Sequence, residues 1–464
     1  MSLPASLEVR PESVGRPAPD AASASLHWIV LQQSASVFLA QMVLLLCGVL
    51  SSFLVAYLVG PEGRGLIYLL QFIAGGIGLT LLNFALGPAS VFHLGRKGSD
   101  SLSDVAAGVL WASLLLGALP MLLLGPAWHW MASLATQKIN GTYLWLALST
   151  IPAMNLTFNA GFLCLAQRRI GAYNWLRIGP SVLFTLSLLV VLSRRYRAIW
   201  VVALAWAATT LIPALFALVV IRSAGGMQWL GGAKKFLRSA LRFGWHSHLG
   251  AVTQYLQHRS DILLVSYFLS LKDLGLYAFA VSLGELLWYV PHAVGTVLLP
   301  HVAGTLEDGA SRITPLVCRA TLALTALLSV GLAVAATWLI PWILPAFHAS
   351  VRVLWILIPG VVAASIFKVL ASDFNGRGKP IKTFYPAVIA LGTGLVCGIL
   401  MIPHYGICSA ALVTTGGYVL NSWLYVRSYT RMTAAPVSSL LFLRSEDLVL
   451  AASLRHEWSS RAGN

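Results

Sequence analysis

Charged and hydrogen-bonding side chains interrupt two long apolar segments in the second half of the chain. In the first of these segments, Arg259 and Asp261 are two positions apart. On a helix such residues point about 200° away from each other, so they cannot simply neutralise one another. Each charge needs water, a neighbouring helix or a ligand, and a structural ion pair to another helix stays open as the alternative to ligand binding. The same segment also carries His246, His248, Gln254, Tyr255, Gln257 and His258.

The next apolar segment carries a polar stripe at helical spacing. Its members share one face of the predicted helix and are Ser282, Glu285, Trp288, Tyr289 and His292. Pro291 precedes His292 and is expected to loosen the helix there. A buried carboxyl group can take up and release a proton, so Glu285 is the candidate coupling residue and His292 a secondary relay. The alternative is a neutral, hydrogen-bonded Glu285 that only packs between helices.

Two further basic residues lie inside apolar segments. Lys368, which is followed by Asp373, and Arg177 would add positive charge to a binding site. Snorkelling of both side chains to the nearby cytoplasmic interface is the alternative. His246 and His248 face different ways on a helix, so their spacing does not indicate a metal site, and no cofactor is predicted.

The segments that hold these side chains are apolar enough to cross a membrane. Of 464 residues, 58% are hydrophobic and 10% are charged, whereas an ordinary soluble domain has roughly 25% charged residues. Because a spanning helix takes about 20 apolar residues, the chain is predicted to be an all-α polytopic membrane protein of about twelve transmembrane helices. The predicted spans are 28–59, 66–94, 104–125, 143–166, 170–192, 198–221, 244–268, 276–299, 316–343, 353–371, 383–402 and 407–430.

Basic residues outnumber acidic ones, which gives a formal net charge of +16. No soluble segment carries a basic stripe with interleaved aromatic residues, so no nucleic-acid partner is predicted. Cytoplasmic loops collect Lys and Arg whatever the ligand. Eighteen basic residues fall on the side of the N-terminus, and seven fall on the other side: Arg64, Lys138, Arg194, Arg195, Arg197, Lys272 and Arg352. Both termini are therefore expected in the cytoplasm, although Arg194, Arg195 and Arg197 contradict the rule locally.

The two halves of the chain share residues at a constant offset of 210 positions. The matched pairs are Tyr57 with Tyr267, Gly65 with Gly275, Leu66 with Leu276, Leu144 with Leu354 and Trp145 with Trp355. Chance identity among Leu-rich helices explains the Leu pairs but less easily the others. A duplicated six-helix unit keeps its orientation, which predicts two parallel halves around a central cavity. The predicted divisions are a disordered cytoplasmic tail at 1–25, six-helix bundles at 26–222 and 241–432, a cytoplasmic linker at 223–240, and a cytoplasmic amphipathic helix and tail at 433–464.

Catalytic groups are scarce on the predicted outward side. Glu62 and Asp273 are its two acidic residues, and the chain contains no Asp-x-Asp sequence. A membrane enzyme of lipid-linked sugar assembly usually needs paired acid and base groups, or metal-binding carboxylates, at one face. The predicted loops are also too short to display such groups. A transporter is therefore predicted rather than an enzyme.

Three stretches carry a resemblance to a known family. They are Tyr57-Leu-Val-Gly-Pro-Glu-Gly-Arg-Gly65, the segment from Phe243-Gly244 through Arg259-Ser-Asp261 to Gly275-Leu276-Tyr277-Ala278, and Val297-Leu-Leu-Pro300. With them, nearly the whole chain resembles the flippases that move O-antigen and exopolysaccharide repeat units, in the multidrug/oligosaccharidyl-lipid/polysaccharide exporter superfamily. Related flippases of the peptidoglycan precursor carry arginines in the first helix, whereas here His27 is the one basic residue between Arg16 and Arg64.

The resemblance implies a function and a site. It implies two bundles that open alternately to either side and a cationic cavity for lipid-diphosphate sugars, with Arg259 and Asp261 in that cavity. The expected activity is translocation of a polyprenyl-diphosphate-linked oligosaccharide across a bacterial inner membrane. Membrane lipids and a polysaccharide polymerase are the candidate partners. A drug or toxin cation antiporter of the same superfamily is the alternative. The candidate substrate-binding residues are Arg259, Asp261, His258, Tyr255, Lys368 and Arg177, and the candidate coupling residues are Glu285 and His292.

Overall fold

Helices make up the architecture. The computed structural model describes residues 21–95, 101–134, 140–227, 233–304 and 307–442, and no β-strand occurs within these ranges. The α-helices are α1 (Ala21–Phe72), α2 (Leu86–Gly95), α3 (Leu102–Leu134), α4 (Gly141–Ala166), α5 (Ile170–Ser193), α6 (Ile199–Ser223), α7 (Ala233–Phe268), α8 (Leu271–Glu285), α9 (Tyr289–Ala303), α10 (Glu307–Ile343), α11 (His348–Gly376), α12 (Ile381–Thr433) and α13 (Ser438–Leu441). A π-helix at Ile73–Leu81 and 3-10 helices at Leu286–Trp288 and Pro345–Phe347 connect some of them.

Within the described residues, nine helical stretches are long and apolar enough to cross a membrane. One of them, Ser36–Gly95, has 60 residues, which as a straight helix would be about 90 Å long, against about 30 Å of bilayer hydrocarbon. A backbone kink at Gly60 (φ 66°) interrupts this stretch, and a second kink at Gly406 (φ 67°) interrupts the stretch Ile381–Thr433. At both positions glycine adopts a left-handed φ without a steric penalty. If both stretches are divided at these glycines and the polar helix α7 is added, the nine stretches become the twelve predicted spans. The number of spans stays a prediction.

The second predicted span, 66–94, is less regular than its hydropathy indicates. After α1 it continues as the π-helix Ile73–Leu81 and then breaks before α2. At the break, Phe84 (φ 50°) and Ala85 (φ 54°) are both in the left-handed region. This conformation is costly for residues with a side chain and persists only where the surroundings enforce it. The sequence prediction of one continuous helix is therefore wrong at this point.

The expected loosening near Pro291 takes a defined form. Proline has no backbone N–H and cannot donate to the carbonyl of Leu287 four residues earlier. The chain accordingly forms a 3-10 turn at Leu286–Trp288 between α8 and α9. This turn changes the helical phase between Glu285 and the residues that follow it.

The two halves meet closely where α1 crosses α8. A Cβ atom added at Gly65 would lie 1.9 Å from the carbonyl oxygen of Leu271, and one added at Gly275 would lie 1.8 Å from that of Pro61. These two contacts are exchanged by the 210-residue offset, which relates Pro61 to Leu271 and Gly65 to Gly275. The largest buried apolar cluster contains residues of both helices, including Leu66 and Leu276. The crossing therefore lies on the approximate two-fold axis of the repeat.

The ends of the predicted divisions differ in part from the helices. Helix α1 begins at Ala21, inside the tail expected at 1–25, because Ala, Ser and Leu at 21–26 favour a helix once an apolar segment follows. Helix α7 begins at Ala233, inside the linker expected at 223–240. Of the amphipathic helix expected within 433–464, the described part is the short α13, whose Ser439 carbonyl oxygen accepts a 2.5 Å hydrogen bond from Arg319. Residues 1–20 and 443–464 lie outside the described residues.

Candidate functional site

An ion pair joins the two candidate segments. The Arg259 guanidinium on α7 lies 2.8 Å from Oε1 and 3.2 Å from Oε2 of Glu285 at the end of α8. Both side chains are about one-quarter exposed. The same guanidinium donates a 2.9 Å hydrogen bond to the Tyr68 hydroxyl. The partner of Arg259 is thus a neighbouring helix, as the alternative interpretation allowed, and the pair remains partly accessible.

Arg64 is a second arginine of this site, and its sequence-based placement in an outward loop is wrong. The helix resumes directly after the Gly60 kink, with Pro61 in its first turn, a position that suits proline. Arg64 is therefore helical and 4% exposed. Its guanidinium donates to the hydroxyls of Ser52 (3.1 Å) and Ser282 (3.2 Å) and lies 5.4 Å from the centroid of the Tyr68 ring.

A cavity of about 440 Å³ lies between the first half and α8. Arg64, Tyr68 and Glu285 line it, together with Ser282 and Tyr289 of the predicted stripe. Arg259 does not line this cavity but contacts two side chains that do. The opposite wall is formed by α1, α4, α5 and α6 through Leu45, Gly48, Val49, Ser51, Ser52, Val55, Met154, Pro180, Ser181, Phe184, Trp206, Thr209 and Thr210.

The Asp261 side chain points away from the 440 Å³ cavity, towards Tyr277 and Thr414. Its carboxylate accepts hydrogen bonds from the Tyr277 hydroxyl (2.6 Å) and the Thr414 hydroxyl (3.2 Å), and from the Ile262 backbone N–H (2.7 Å). It is 8% exposed and borders a separate cavity of about 20 Å³. The opposite directions of Arg259 and Asp261 follow from their spacing on α7, so the structure does not bring these two predicted binding residues together.

A cluster of rings surrounds Lys368 in the second half. The ammonium nitrogen of Lys368 lies 4.1 Å from the centroid of the Trp288 ring, a cation–π contact. The His258 ring meets Trp288 edge-on at 5.3 Å and lies 6.1 Å from the Tyr418 ring, and its Nδ1 is 2.7 Å from the Gln254 carbonyl oxygen. These two candidate residues therefore lie on the side of Trp288, and not among the residues that line the 440 Å³ cavity.

The remaining candidate residues are dispersed. Tyr255 stacks on Phe72 with ring centroids 6.2 Å apart, so it contacts the first half. Arg177 on α5 donates to the Gln41 side chain of α1. His292 on α9 is exposed and is not among the residues that line the cavity. Among the candidates, Glu285 lines the cavity, and Arg259 contacts the Glu285 side chain.

Sequence reasoning missed Arg64 and Tyr68. The available signal was Gly60-Pro61, which marks the end of one helix and the start of the next, and so places Arg64 in a first helical turn. Tyr68 follows one turn after Arg64 on the same face. Hydropathy alone assigns the segment from Gly60 to Arg64 to a loop, because its glycine, proline and charged residues lower the average. A hydropathy average does not show that one helix ends at Gly60 and the next begins at Pro61.

Comparison with known proteins identifies the family. A family model described as "Polysaccharide biosynthesis protein" matches residues 94–351, which is more than half of the chain. A relative described as "Probable flippase AglR", from Haloferax volcanii, is 23% identical over 224 residues, which make up 44% of this chain and 44% of that protein. The chain therefore aligns with less than half of the length of this curated relative.

Solved structures share the fold at low sequence identity. The lipid II flippase MurJ in an inward closed conformation has a TM-score of 0.67 at 14% identity, over 88% of this chain and 89% of that one. An inward-facing multidrug resistance MATE family transporter of the MOP superfamily has a TM-score of 0.61 at 12% identity, over 84% and 95%. The all-α, two-halved fold predicted from the sequence is thus confirmed. The chain belongs to the polysaccharide biosynthesis protein family, and its long apolar helices and shared fold make it a multi-pass membrane protein.

Proposed function

We propose that this protein is a transporter rather than an enzyme, and that it moves a polyprenyl-diphosphate-linked oligosaccharide from the cytoplasmic to the outer leaflet of a bacterial inner membrane. The observation that carries the proposal is the cavity between the first half and α8, which contains Arg64 and is bordered by the Arg259–Glu285 pair. The described lining residues include one arginine and one carboxylate amid neutral groups. This composition suits a head group that is anionic at one point and neutral elsewhere.

The proposed substrate matches the two chemical characters of the cavity. Guanidinium groups stay charged and make bidentate contacts with phosphate, so Arg64 and Arg259 are the proposed diphosphate ligands. Hydroxyl and aromatic side chains, among them Ser51, Thr209 and Trp206, face the same space and suit a sugar. A volume of about 440 Å³ is within the usual range for a small-molecule site. It accommodates part of a head group, while the polyprenyl chain stays in lipid.

The two-halved arrangement suits alternating access. The halves 26–222 and 241–432 touch at the Gly65–Gly275 crossing, on the proposed outward side of the cavity. On the other side, Tyr255 of α7 stacks on Phe72 of the first half. We propose that the two sets of contacts separate in turn during transport, with both termini in the cytoplasm and the tail 433–464 at the membrane surface.

Deletion and complementation test the proposed function. Cells that lack the protein are expected to accumulate the lipid-linked oligosaccharide in the cytoplasmic leaflet, and the wild-type gene is expected to clear it. The Arg259→Lys variant should clear it about tenfold more slowly, because an ammonium group cannot make the bidentate contact with phosphate that a planar guanidinium makes.

The control is Arg195→Lys, which changes an exposed arginine in a loop that does not line the cavity. It is expected to restore clearance fully. Absence of lipid-linked oligosaccharide accumulation in the deletion strain would contradict the proposed substrate. Full clearance by Arg259→Ala would remove Arg259 from the proposed site and leave the pair with Glu285 a structural one.

The antiporter alternative agrees less well with the described acidic groups. A cation exporter needs a carboxylate that is free to bind the cation. Glu285 is already paired with Arg259, and Asp261 accepts three hydrogen bonds away from the main cavity. Efflux of a cationic dye from cells that overproduce the protein would favour this alternative.

A further inference from the structure

The Glu285 carboxylate occupies the position on Arg259 that an anionic ligand would take. Two short contacts, at 2.8 and 3.2 Å, join the guanidinium to both carboxylate oxygens. The third contact of this guanidinium is to the Tyr68 hydroxyl at 2.9 Å. A phosphate group that binds Arg259 must therefore displace or share a carboxylate that is already well placed.

Arg64 differs from Arg259 in this respect. Its two hydrogen bonds go to the uncharged hydroxyls of Ser52 and Ser282. Both arginines contact the same tyrosine, Arg64 over the ring of Tyr68 and Arg259 at its hydroxyl. The described site thus holds two guanidinium groups that contact the same tyrosine, of which one is paired with a carboxylate and the other is hydrogen-bonded to hydroxyls.

This arrangement would make the free energy of anion binding depend on the charge of the anion. A phospholipid such as phosphatidylglycerol carries one negative charge, so its exchange for Glu285 replaces one anion by another and gains little Coulomb energy. The exchange also leaves a partly buried carboxylate without its partner, which costs free energy. A diphosphate carries at least two charges and can engage Arg64 and Arg259 together, which offsets the loss of the Glu285 contact.

We propose that Glu285 is a specificity-determining residue that keeps monoanionic phospholipids off Arg259 and yields to a diphosphate. The inference rests on the proposed function, since it assumes that a diphosphate lipid enters the cavity. It adds a reason for a carboxylate in an anion-binding site: the surrounding bilayer supplies monoanionic competitors in large excess, and discrimination requires an element that opposes them.

Competition between two lipids tests the proposal. The purified full-length protein is incubated in detergent with undecaprenyl diphosphate and dioleoyl phosphatidylglycerol, and the bound lipids are quantified by native mass spectrometry. The wild type is expected to prefer the diphosphate. In Glu285→Gln, which keeps the shape and removes the charge, the preference should fall about tenfold, mainly through tighter phosphatidylglycerol binding, which corresponds to about 1.4 kcal/mol.

The control is Glu62→Gln, the same change at an exposed position in the first helical turn after the Gly60 kink. It is expected to keep the wild-type preference. If Glu285→Gln does not fold, Glu285→Asp keeps the charge but shortens the reach to Arg259, and a smaller fall in the same direction is expected.

The outcomes separate this inference from the proposed function. A wild type that prefers the diphosphate, together with a Glu285→Gln preference equal to or above it, overturns the specificity role and leaves the transporter proposal standing. A wild type that does not prefer the diphosphate overturns both. A fall in preference that also appears in Glu62→Gln assigns the effect to net charge and likewise overturns the role of Glu285.

Discussion

Tyr68 connects the two guanidinium groups of the site. Its ring packs under Arg64, and its hydroxyl accepts from Arg259, which is itself paired with Glu285. Side chains from α1, α7 and α8 therefore form one polar network across the contact between the halves. A change in the charge of any member would alter the partners of the others, so this network is where the proposed diphosphate binding and the proposed movement of the halves would be linked.

Coupling to protons is the first prediction, and it concerns Glu285. In reconstituted vesicles with an imposed pH gradient and no membrane potential, we expect substrate movement to follow the gradient. Protonation of Glu285 would release Arg259 and leave it free for the diphosphate. The Glu285→Gln variant should no longer respond, because its amide cannot titrate. The measurement is the initial rate of flipping of a fluorescent lipid-linked oligosaccharide.

The groups around Glu285 define what else could produce a pH response. Arg259, Arg64 and Tyr68 lie on one side of it, Tyr289 lies one turn on, and Lys368 interacts with it electrostatically. His292, the predicted secondary relay, is exposed, so His292→Gln serves as the companion variant. Movement that ignores the gradient in the wild type, or a Glu285→Gln variant that still follows it, would defeat the coupling role and favour the membrane potential or sodium as the driving force.

Sequence spacing predicted some side-chain directions and missed others. The divergence of Arg259 and Asp261 was predictable because a helix fixes the angle between residues two apart. Their partners were not, since Tyr277, Thr414 and Glu285 reach them from other helices. A buried charge can meet one of several equally polar neighbours, and the way in which the helices cross decides which one it meets. Hydropathy contains no information on how the helices cross.

The contact of Asp261 joins three helices. It lies on α7 and accepts from Tyr277 of α8 and Thr414 of α12, and both Asp261 and Tyr277 are buried. Tyr277→Phe would remove the shorter of the two hydroxyl contacts and leave the carboxylate less satisfied. We expect a loss of about 1 to 3 kcal/mol in the free energy of unfolding.

Denaturant unfolding in detergent measures this second prediction. Tyr405→Phe is the matched control, because the same hydroxyl is removed at a residue that is 72% exposed. If Tyr277→Phe is as stable as this control, the hydrogen bond from Tyr277 to Asp261 contributes little to the free energy of unfolding.

The crossing of α1 and α8 depends on two glycines. An alanine at Gly275 would place a Cβ atom 1.8 Å from the Pro61 carbonyl oxygen, a distance that forces the helices apart. Small residues allow such close approach of helices in membranes. For Gly275→Ala we expect a stability loss of about 1 to 3 kcal/mol, as for other overpacked sites. We also expect weaker disulfide cross-linking between cysteines placed at Phe53 and Phe279, whose rings are 5.3 Å apart across the two halves.

Gly392→Ala is the control for this third prediction, since a Cβ atom there meets nothing within 4 Å. It should leave both stability and cross-linking unchanged. If the Gly275→Ala variant cross-links at the wild-type level, helices α1 and α8 accommodate the added methyl group without moving apart. The equivalent change, Gly65→Ala, should behave like Gly275→Ala, because the two contacts are related by the repeat.

Helix boundaries were predictable where sequence signals are local. Pro61 after Gly60, and the Ser270 cap with its Asp273 partner at the start of α8, are punctuation that the residues carry themselves. The break before α2 has no such signal, because Phe84 and Ala85 do not favour a left-handed conformation. It lies where Phe84 stacks on His248 of α7, with ring centroids 4.7 Å apart. The second half therefore contributes to a conformation in the first, which no local pattern predicts.

The arrangement of the whole molecule follows from its duplication. The two parallel six-helix units predicted from the sequence, with an even number of helices each, would leave the N-terminus, the connection between the halves and the C-terminus on the same side. The reciprocal Gly65 and Gly275 contacts agree with the 210-residue offset read from the sequence. The orientation in the membrane depends on a different quantity, the distribution of Lys and Arg among the loops.

Reassigning Arg64 to the buried site changes the charge count in favour of the predicted orientation. The predicted outward side then keeps six of its seven basic residues, half of them in the exposed loop at Arg194, Arg195 and Arg197, against eighteen on the predicted cytoplasmic side. The fourth prediction is that a cysteine at Tyr196 reacts with a membrane-impermeant maleimide in intact cells, whereas one at Asn375 reacts after permeabilisation. Both positions are exposed, and the five native cysteines are first replaced. Labelling of Asn375→Cys in intact cells, with Tyr196→Cys protected, would invert the orientation. The local cluster of arginines would then outweigh the larger but more dispersed charge on the opposite side.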